Sequence, residues 1–354
     1  MPEIRINSYT GKSVIIASER AHRPYSDGSN CVRKSSICPF CKGREEQTPL
    51  PTDIVCYPGA TDWALRSVPN RFPALVPSET WSQTEYELEF GANSPSICEF
   101  RQPANGRHEV IIESPNHDKR CGVLGDEQWN RLTHFYAYKV RLFYKDDKCK
   151  YVQLFKNQGR AAGASLEHVH SQIMGLPWIP PVVQNELSWL ERYANQTGRC
   201  AWKVILKKEL LLGKRIVEKT KNFVVLCPFI SRFAGETWIM PRDNRPDMEN
   251  SSAEVLDELA SLISWLTHRL ENVLLSLKVN GECLQQASGE EPTPSFNIVY
   301  RTAPRIDGAI PEFYSWRMEL IPRINAIAGF ELGTGCFINV LPPEDFKNML
   351  TNCQ

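Results

Sequence analysis

A glycine-bearing loop in the middle of the chain has the character of a phosphate-binding loop. It contains Gly159, Gly163 and Ser165 and lies directly before a predicted strand. A backbone without side chains at two points can approach a phosphate closely and donate N–H groups to its oxygens. The loop is therefore a candidate anion site, although glycine-rich loops are common and this one alone is weak evidence.

Three polar residues follow the loop at alternate positions. His168, His170 and Gln172 are each separated by one residue, so on a strand their side chains share one face. An imidazole beside a phosphate site can attack phosphorus as a neutral nucleophile, which splits one difficult transfer into two easier steps. The serines of this segment do not lie in a GxSxG sequence, so acyl transfer has less support.

Cys38-Pro-Phe-Cys41 is the one CxxC sequence among twelve cysteines. In a reducing compartment this spacing indicates a metal site or a redox pair. The other cysteines are scattered without the density of a disulfide scaffold, so we interpret them as small buried hydrophobic residues.

Length and charge limit the classes of protein that these residues can serve. The 354 residues suggest two domains, or one large one, at about 150 residues per domain. The 41 basic residues are balanced by 41 acidic ones, so no net field attracts nucleic acid or an anionic membrane. The sequence shows neither an apolar leader nor an apolar run of roughly 18 residues. We therefore expect a cytoplasmic protein that binds neither nucleic acid nor membranes.

Two long amphipathic helices and seven strands are predicted around the loop. The helices run over 127–145 and 251–278, where apolar residues return on one face. Runs rich in β-branched and aromatic residues predict the strands, at 108–113, 151–155, 169–174, 223–227, 237–240, 296–300 and 316–321.

The order of these elements suggests an internal duplication. Residues 109–117 align with residues 236–244, and each segment precedes a long helix, a strand, a glycine-bearing loop and a second strand. Two copies of one α+β unit would account for the length. A junction near residues 185–200 would separate the copies.

The motifs in their order resemble a known family. His168-Val-His170-Ser-Gln172 resembles the histidine-triad superfamily, and its glutamine resembles the transferase branch, the galactose-1-phosphate uridylyltransferases. The further motifs that carry the resemblance are Arg20-Ala-His-Arg23-Pro24, Cys38-Pro-Phe-Cys41, Asn70-Arg-Phe72-Pro73, Ser114-Pro-Asn-His117, Gly329-Phe-Glu331-Leu-Gly-Thr-Gly335 and Ile338-Asn339. The resemblance thus extends over most of the chain.

The resemblance implies an α+β fold of two tandem histidine-triad-like units, each a mostly antiparallel sheet with helices packed on it. Residues 1–190 would form the N-terminal catalytic domain with a zinc site. Residues 191–354 would form a degenerate C-terminal domain that supplies a sugar-binding wall. Relatives in this family are dimers whose active sites use residues of both chains, so the resemblance also implies a homodimer.

The resemblance further implies a ping-pong nucleotidyl transfer between a nucleotide sugar and a sugar 1-phosphate, most simply UDP-glucose and galactose 1-phosphate, with no need for Mg²⁺. By this carry-over His170 is the nucleophile that forms a covalent nucleotidyl-histidine, while Ser165 and Gln172 hold the non-bridging phosphate oxygens. The residues that would contact the nucleotide are Arg20, Arg23, Asn70, Phe72, Asn157 and Gly163. Glu331 would contact the sugar hydroxyls.

A zinc position of the family matches Cys38, Cys41, His117 and His168 in order. Two thiolates and two imidazoles form a tetrahedral ligand set that Zn²⁺ prefers. The resemblance therefore implies one structural zinc site per chain, which would also fix the strand that presents His170. A reduced CxxC without a metal is the alternative.

A second metal position, present in some relatives, departs from the pattern in this chain. Its ligands correspond to one of two sets, either Glu186, Arg301, Arg317 and Glu319 or Cys200, Lys203, Asn244 and Ser315. Neither set can bind a divalent ion as it stands. We expect the first set to form a salt-bridged substitute, which leaves one active site per pair of units.

Two alternatives stay open at the level of the sequence. An ADP-glucose phosphorylase of the same family would use an adenylyl donor and inorganic phosphate as the acceptor, and Phe337 in the C-terminal motif leaves the acceptor undetermined. A nucleotide-binding module without catalysis belongs to a different class. The intact His170, Gln172 and Ser165 argue against this second alternative.

Overall fold

The structure is a computed structural model that describes residues 2–7, 13–16, 38–77, 99–117, 120–279, 282–283 and 294–353. Its strands are β1 (Glu3–Asn7), β2 (Ser13–Ile16), β3 (Asp53–Cys56), β4 (Trp63–Pro69), β5 (Glu99–Pro103), β6 (Arg107–Ile112), β7 (Tyr151–Gln158), β8 (His170–Leu176), β9 (Ile216–Lys219), β10 (Phe223–Leu226), β11 (Thr237–Pro241), β12 (Lys278–Val279), β13 (Glu282–Cys283), β14 (Phe296–Arg301) and β15 (Arg317–Pro322). Its α-helices are α1 (Asp126–Phe143), α2 (Pro181–Thr197), α3 (Ala201–Leu212), α4 (Ala253–Ser276), α5 (Gly329–Thr334) and α6 (Pro343–Asn352).

A ten-stranded sheet forms the centre of the fold. Its strand order is β3-β4-β6-β8-β7-β14-β15-β11-β10-β9, and neighbouring strands pair antiparallel throughout. Two small sheets, β2-β1-β5 and β12-β13, lie outside it. The predicted class, α+β with a mostly antiparallel sheet and helices packed on it, is confirmed.

The strand order repeats within the large sheet. In the first half the order is β3-β4-β6-β8-β7, and in the second half it is β9-β10-β11-β15-β14. In each half, the last strand along the chain (β8 or β15) lies between the two strands of this sheet that precede it in the chain. A long helix, α1 or α4, lies in the chain between those two preceding strands, which are β6 and β7 in the first half and β11 and β14 in the second. The halves meet where β7 pairs with β14. The division into domains at residue 190 stays a prediction.

The two long helices pack against each other and bury their predicted apolar faces. In α1 the buried stripe consists of Trp129, Leu132, Tyr136, Val140 and Phe143. In α4 it consists of Leu259, Leu262, Leu266, Leu270 and Leu274. Burial of each such side chain stabilises the fold by roughly 1.5–3 kcal/mol. The two stripes belong to one hydrophobic core that also contains strand residues of both halves of the sheet.

Helix α2 covers most of the junction predicted near residues 185–200, and α3 begins directly after it. Helix α2 starts at Pro181, a residue that is tolerated at the first helical position because its missing N–H has no partner there. A glycine with left-handed backbone caps the C-terminal end of each helix: Gly198 follows α2, and Gly213 follows α3. Pro181 thus marks the start of a helix in a segment that was predicted to be a junction.

Among the described residues, no helix has both the length and the apolar composition to cross a bilayer.

Candidate active site and metal centre

Two of the three residues of the predicted polar row, His170 and Gln172, lie on β8, between β6 and β7, whereas His168 lies two residues before the strand. His170 begins the strand opposite Ile112, and Gln172 lies opposite Val110 on one side and Phe155 on the other. Directly opposed residues on neighbouring strands share a face of the sheet. His170 and Gln172 therefore face the same side, as the alternation predicts.

The four predicted metal ligands come together into one cluster. The ligand atoms of Cys38, Cys41, His117 and His168 all lie within 4.8 Å of one another. The Cys38 and Cys41 Sγ atoms lie 3.7 Å and 3.6 Å from His168 Nδ1, and Cys41 Sγ lies 3.5 Å from His117 Nδ1. Residues from three separate parts of the sequence thus converge on one point that could hold a metal ion.

The orientation of His168 suits a metal ligand. Its Nε2–H donates to the Ser114 carbonyl oxygen at 2.7 Å, so the lone pair lies on Nδ1, which faces the two thiols. Burial lowers the pKa of His168 to about 4, which keeps the imidazole neutral near neutral pH. In proteins, the ring nitrogen of a ligating histidine that does not bind the metal usually donates a hydrogen bond like this one, which fixes the tautomer.

His170 is held in the opposite tautomer. Its Nδ1 lies 2.7 Å from the His168 carbonyl oxygen, which can only accept, so Nδ1 carries the proton and Nε2 carries the lone pair. Burial lowers the pKa of His170 below its ordinary value, which favours the neutral ring. Phe40, inside the CxxC sequence, packs against this ring at a centroid distance of 5.3 Å. The metal cluster and His170 are therefore directly connected.

Gln172 is part of a network that the sequence analysis missed. Its Oε1 lies 3.0 Å from Nε2 of His108, a buried residue of β6, and 3.5 Å from Nδ2 of Asn70. His108 also accepts the backbone N–H of Ala74 through Nδ1 at 3.1 Å. Asn70 and Phe72 lie in the turn that wraps around His108, and the Asn70 Oδ1 accepts the Phe72 N–H at 2.9 Å. The strand period places His108 and Val110 on one face of β6, but only the pairing of β6 with β8 brings that face beside Gln172.

The glycine loop forms a short 3₁₀ turn between β7 and β8. Gly159 has a φ of +75°, and a Cβ there would lie 2.1 Å from the Ser295 Oγ, so only glycine fits. Gly163 also has positive φ, at +82°, with open space around it. Ser165 lies between this turn and β8 and is half-buried. The backbone is thus turned tightly at both glycines, as the phosphate loop prediction requires.

Asn157 is anchored by the second half of the chain. Its Oδ1 accepts from Asn297 Nδ2 at 2.7 Å, and the same nitrogen donates to the Ala162 carbonyl oxygen at 2.9 Å. The Asn297 Oδ1 in turn accepts from Arg323 Nε at 2.6 Å. The second half therefore supports the loop of the first half across the β7–β14 seam.

Of the remaining predicted positions, the structure describes Glu331 only. Arg20 and Arg23 lie outside the described residues. Glu331 lies in the short helix α5, where its carboxylate accepts the backbone N–H groups of Ala328 and Ile338 at 3.1 Å and 3.3 Å. Across the described ranges of this chain, no hydrogen bond or ion pair connects Glu331 to the site around His170.

Comparison with known proteins agrees with the fold and with the family resemblance. Residues 1–180 match the family model described as galactose-1-phosphate uridyl transferase, N-terminal domain. An ADP-glucose phosphorylase of Arabidopsis thaliana is 28% identical over 99% of this chain and 92% of its own length. A galactose-1-phosphate uridylyltransferase of Thermotoga maritima is 24% identical over 99% of this chain and 98% of its own length. A crystal structure of an ADP-glucose phosphorylase from Arabidopsis thaliana with bound ADP-glucose covers 100% of both chains, with a TM-score of 0.70 and 26% sequence identity.

The chain is a member of the histidine-triad superfamily, and the motif histidines are His168, two residues before β8, and His170, its first residue. Within it, the chain belongs to the galactose-1-phosphate uridyl transferase family. Two relatives that are named for different activities, an ADP-glucose phosphorylase and a galactose-1-phosphate uridylyltransferase, resemble it over nearly their whole length. Membership of the family therefore does not select the donor.

Proposed function

We propose that this protein transfers a nucleoside monophosphate from a nucleotide sugar to an acceptor phosphate through a covalent intermediate on His170. The donor and acceptor that we place first are UDP-glucose and galactose 1-phosphate. The observation that carries the proposal is the tautomer of His170, since its Nδ1–H donates to the His168 carbonyl and leaves the Nε2 lone pair for attack.

In the first half-reaction the lone pair of Nε2 would form a P–N bond to the phosphorus that bears the nucleoside. The anhydride P–O bond would break, and the electron pair would leave with the sugar 1-phosphate. The ring would then carry a positive charge, which the Nδ1–H to carbonyl hydrogen bond stabilises. In the second half-reaction an oxygen of the acceptor phosphate would attack the same phosphorus and release neutral His170.

The anionic oxygens of the transferred group need donors that are in place before the reaction. We assign this role to the Ser165 backbone N–H and hydroxyl and to the Gln172 amide. The N–H groups of Ala162, Gly163 and Ala164 donate to carbonyl oxygens within the loop and fix its shape. Asn157 sits at the end of β7 beside the loop, where Asn297 fixes its orientation. We also assign Asn70, Phe72, Asn157 and Gly163 to the nucleotide and Glu331 to the sugar, with Arg20 and Arg23 as further nucleotide contacts.

A second candidate uses an adenylyl donor with inorganic phosphate as the acceptor. The similarity to an ADP-glucose phosphorylase over 99% of this chain favours it. The same chemistry at His170 would serve both donors, because the difference lies in the base and in the acceptor.

The test is incubation with UDP-glucose or ADP-glucose that carries ³²P in the nucleoside phosphate, without an acceptor. We expect acid-labile label on the protein and release of glucose 1-phosphate. His170→Ala should lose the label and keep its fold, while His134→Ala, at an exposed histidine of α1, serves as the matched control. Label from the adenylyl donor alone would overturn the uridylyl assignment. Absence of label from both would favour a binding module.

We further propose that the Cys₂His₂ cluster holds one structural Zn²⁺ per chain. In a tetrahedral site, Zn–S distances of about 2.3 Å and Zn–N distances of about 2.0 Å give S–N separations of about 3.5 Å. The separations of 3.5–3.7 Å in the cluster agree with this value. Four protein ligands leave no open position, so the metal would supply no Lewis acid chemistry and would brace the segment that carries His170.

The proposed homodimer is supported by an exposed apolar segment near the C-terminus. Phe330, Leu332, Phe337, Ile338 and Val340 are between 42% and 77% exposed in the single chain. Clusters of exposed apolar side chains of this kind commonly mark protein interfaces. Sedimentation velocity should give the mass of two chains, and a monomer at micromolar concentration would contradict the proposal.

A further inference from the structure

We propose that His108 is a positioning residue that fixes the amide of Gln172, so that its NH₂ group faces the transferred phosphate. The inference rests on the proposed function, because it assigns a task to the Gln172 amide in nucleotidyl transfer. It concerns a residue that lies 64 positions before Gln172 in the chain and contacts it directly across the β6–β8 pair.

The tautomer of His108 follows from its backbone partner. The Ala74 N–H can only donate, so Nδ1 of His108, at 3.1 Å, must hold a lone pair. The ring is buried, with 5% of its surface exposed. A neutral imidazole with a lone pair on Nδ1 carries its proton on Nε2. His108 Nε2–H therefore points at Gln172 Oε1, which accepts at 3.0 Å.

Asn70 supplies a second donor to the same oxygen. Its Oδ1 accepts the Phe72 N–H at 2.9 Å, which identifies the other terminal atom as the NH₂ group. This nitrogen lies 3.0 Å from His108 Nε2 and 3.5 Å from Gln172 Oε1. With the proton of His108 on Nε2, the contact between these two nitrogens is not a hydrogen bond, and the acceptor that both face is the carbonyl oxygen of Gln172. An amide oxygen has two lone pairs, so both are then engaged.

The consequence concerns which end of the amide reaches the substrate. A glutamine amide can rotate by half a turn about its last bond, which exchanges the oxygen and the nitrogen. With the oxygen turned towards the phosphate, two negative partial charges would oppose each other. The donors at His108 and Asn70 hold the oxygen away from this position, and the NH₂ group is left to donate. Donors that are fixed in advance stabilise developing charge without reorganisation.

The test uses two substitutions of His108 that separate its contacts. In His108→Asn the side-chain oxygen can replace Nδ1 as acceptor for Ala74, but no donor reaches Gln172. In His108→Gln the longer side chain places an NH₂ donor near the position of Nε2. We expect the single-turnover rate of protein labelling to fall about 10–100-fold in His108→Asn and to recover most of this loss in His108→Gln. The donor concentration at half-maximal rate should change little in both.

A double-mutant cycle distinguishes positioning from a general structural role. If His108 acts through Gln172, adding His108→Asn to Gln172→Ala should lower the rate by no more than about twofold. An equal loss of rate in both backgrounds would overturn the proposal. So would a loss of rate in His108→Asn that His108→Gln does not restore.

A measurement without substrate keeps the inference separate from the proposed function. In ¹⁵N-histidine-labelled protein, long-range ¹H–¹⁵N spectra should show His108 with a protonated Nε2 and an unprotonated Nδ1. His108→Gln identifies the resonance. Protonation at Nδ1 would overturn the assignment of the network even if no donor labels the protein, whereas failure of labelling with the expected tautomer would contradict only the proposed function.

Discussion

The two halves of the sheet use equivalent positions in opposite ways. In the first half His170 is the first residue of β8 and Gln172 is the third, and in the second half Arg317 is the first residue of β15 and Glu319 is the third. In the repeated topology, His170 and Gln172 thus correspond to Arg317 and Glu319. The first pair is uncharged and keeps a lone pair and an amide for a ligand.

The second pair is closed by complementary charges. Arg317 makes a bidentate ion pair with Glu186 at 2.7 Å and 3.0 Å and donates through Nε to Glu319 at 2.9 Å. Glu319 also accepts from Arg301 at 3.1 Å and from Arg232 at 2.7 Å. The predicted salt-bridged substitute is therefore confirmed.

The metal positions differ in the same manner. The first half brings two thiols and two imidazoles together, whereas the equivalent residues of the second half are Cys200, Lys203, Asn244 and Ser315. There, the described contact is a hydrogen bond from Asn244 Nδ2 to Cys200 Sγ at 3.1 Å. An ammonium and an amide replace the ligands that Zn²⁺ prefers. One scaffold thus carries uncharged polar groups in its first half and a closed network of ion pairs at the equivalent place in its second half.

The largest effect is expected at the metal cluster. His117→Ala should remove the bound metal and lower the free energy of unfolding by several kcal/mol, because metal binding and folding are coupled. Asn244→Ala, at the equivalent position of the second half, should leave the metal content unchanged. Metal analysis by mass spectrometry, together with urea unfolding, measures both. Retention of one zinc per chain in His117→Ala would break the comparison.

The next effect concerns the buried ion pairs of the second half. Arg317→Met should lower the free energy of unfolding by about 3–5 kcal/mol, because it leaves Glu186 without its bidentate partner. Urea denaturation provides the measurement. Lys42→Met, which breaks the exposed pair with Asp62, should cost less than about 1 kcal/mol. The folded Arg317→Met protein should still accept label at His170, and loss of label from folded protein would assign Arg317 to the reaction.

The smallest effect is the contribution of Glu319 to acid stability. Burial alone raises the pKa of Glu319, but Arg317, Arg301 and Arg232 outweigh it and hold the pKa at about 2, below the ordinary 4.5. Its contribution to stability is therefore complete above about pH 4.5 and is lost as the pH falls towards 2. Urea unfolding at several pH values in this window should show a shallower pH dependence for Glu319→Gln than for the wild type. Parallel profiles would show that Glu319 does not titrate as the geometry implies.

The local patterns were sufficient for the elements that carry the site. Alternation at His168, His170 and Gln172 predicted a strand with a polar face, and the apolar stripes predicted α1 and α4. The CxxC sequence indicated a metal site before any fold was known. The strand at His170 and Gln172 and both helices are confirmed, because strand and helix periods are properties of neighbouring residues. His168 lies before the strand, and metal binding stays a prediction. Helix α2 was missed although Val183, Leu187 and Leu190 have helical spacing, since the segment was predicted to be a junction between the two copies.

By itself, the sequence determined the residue types that can bind a metal, attack phosphorus and turn the loop, together with the strand that presents them. Only the tertiary structure decided that Ala74 sets the proton of His108, that His108 meets Gln172 and that Glu186 closes on Arg317. The last two residues lie 131 positions apart. Such pairs depend on strand register and on the path of the chain between strands, and a local period contains neither.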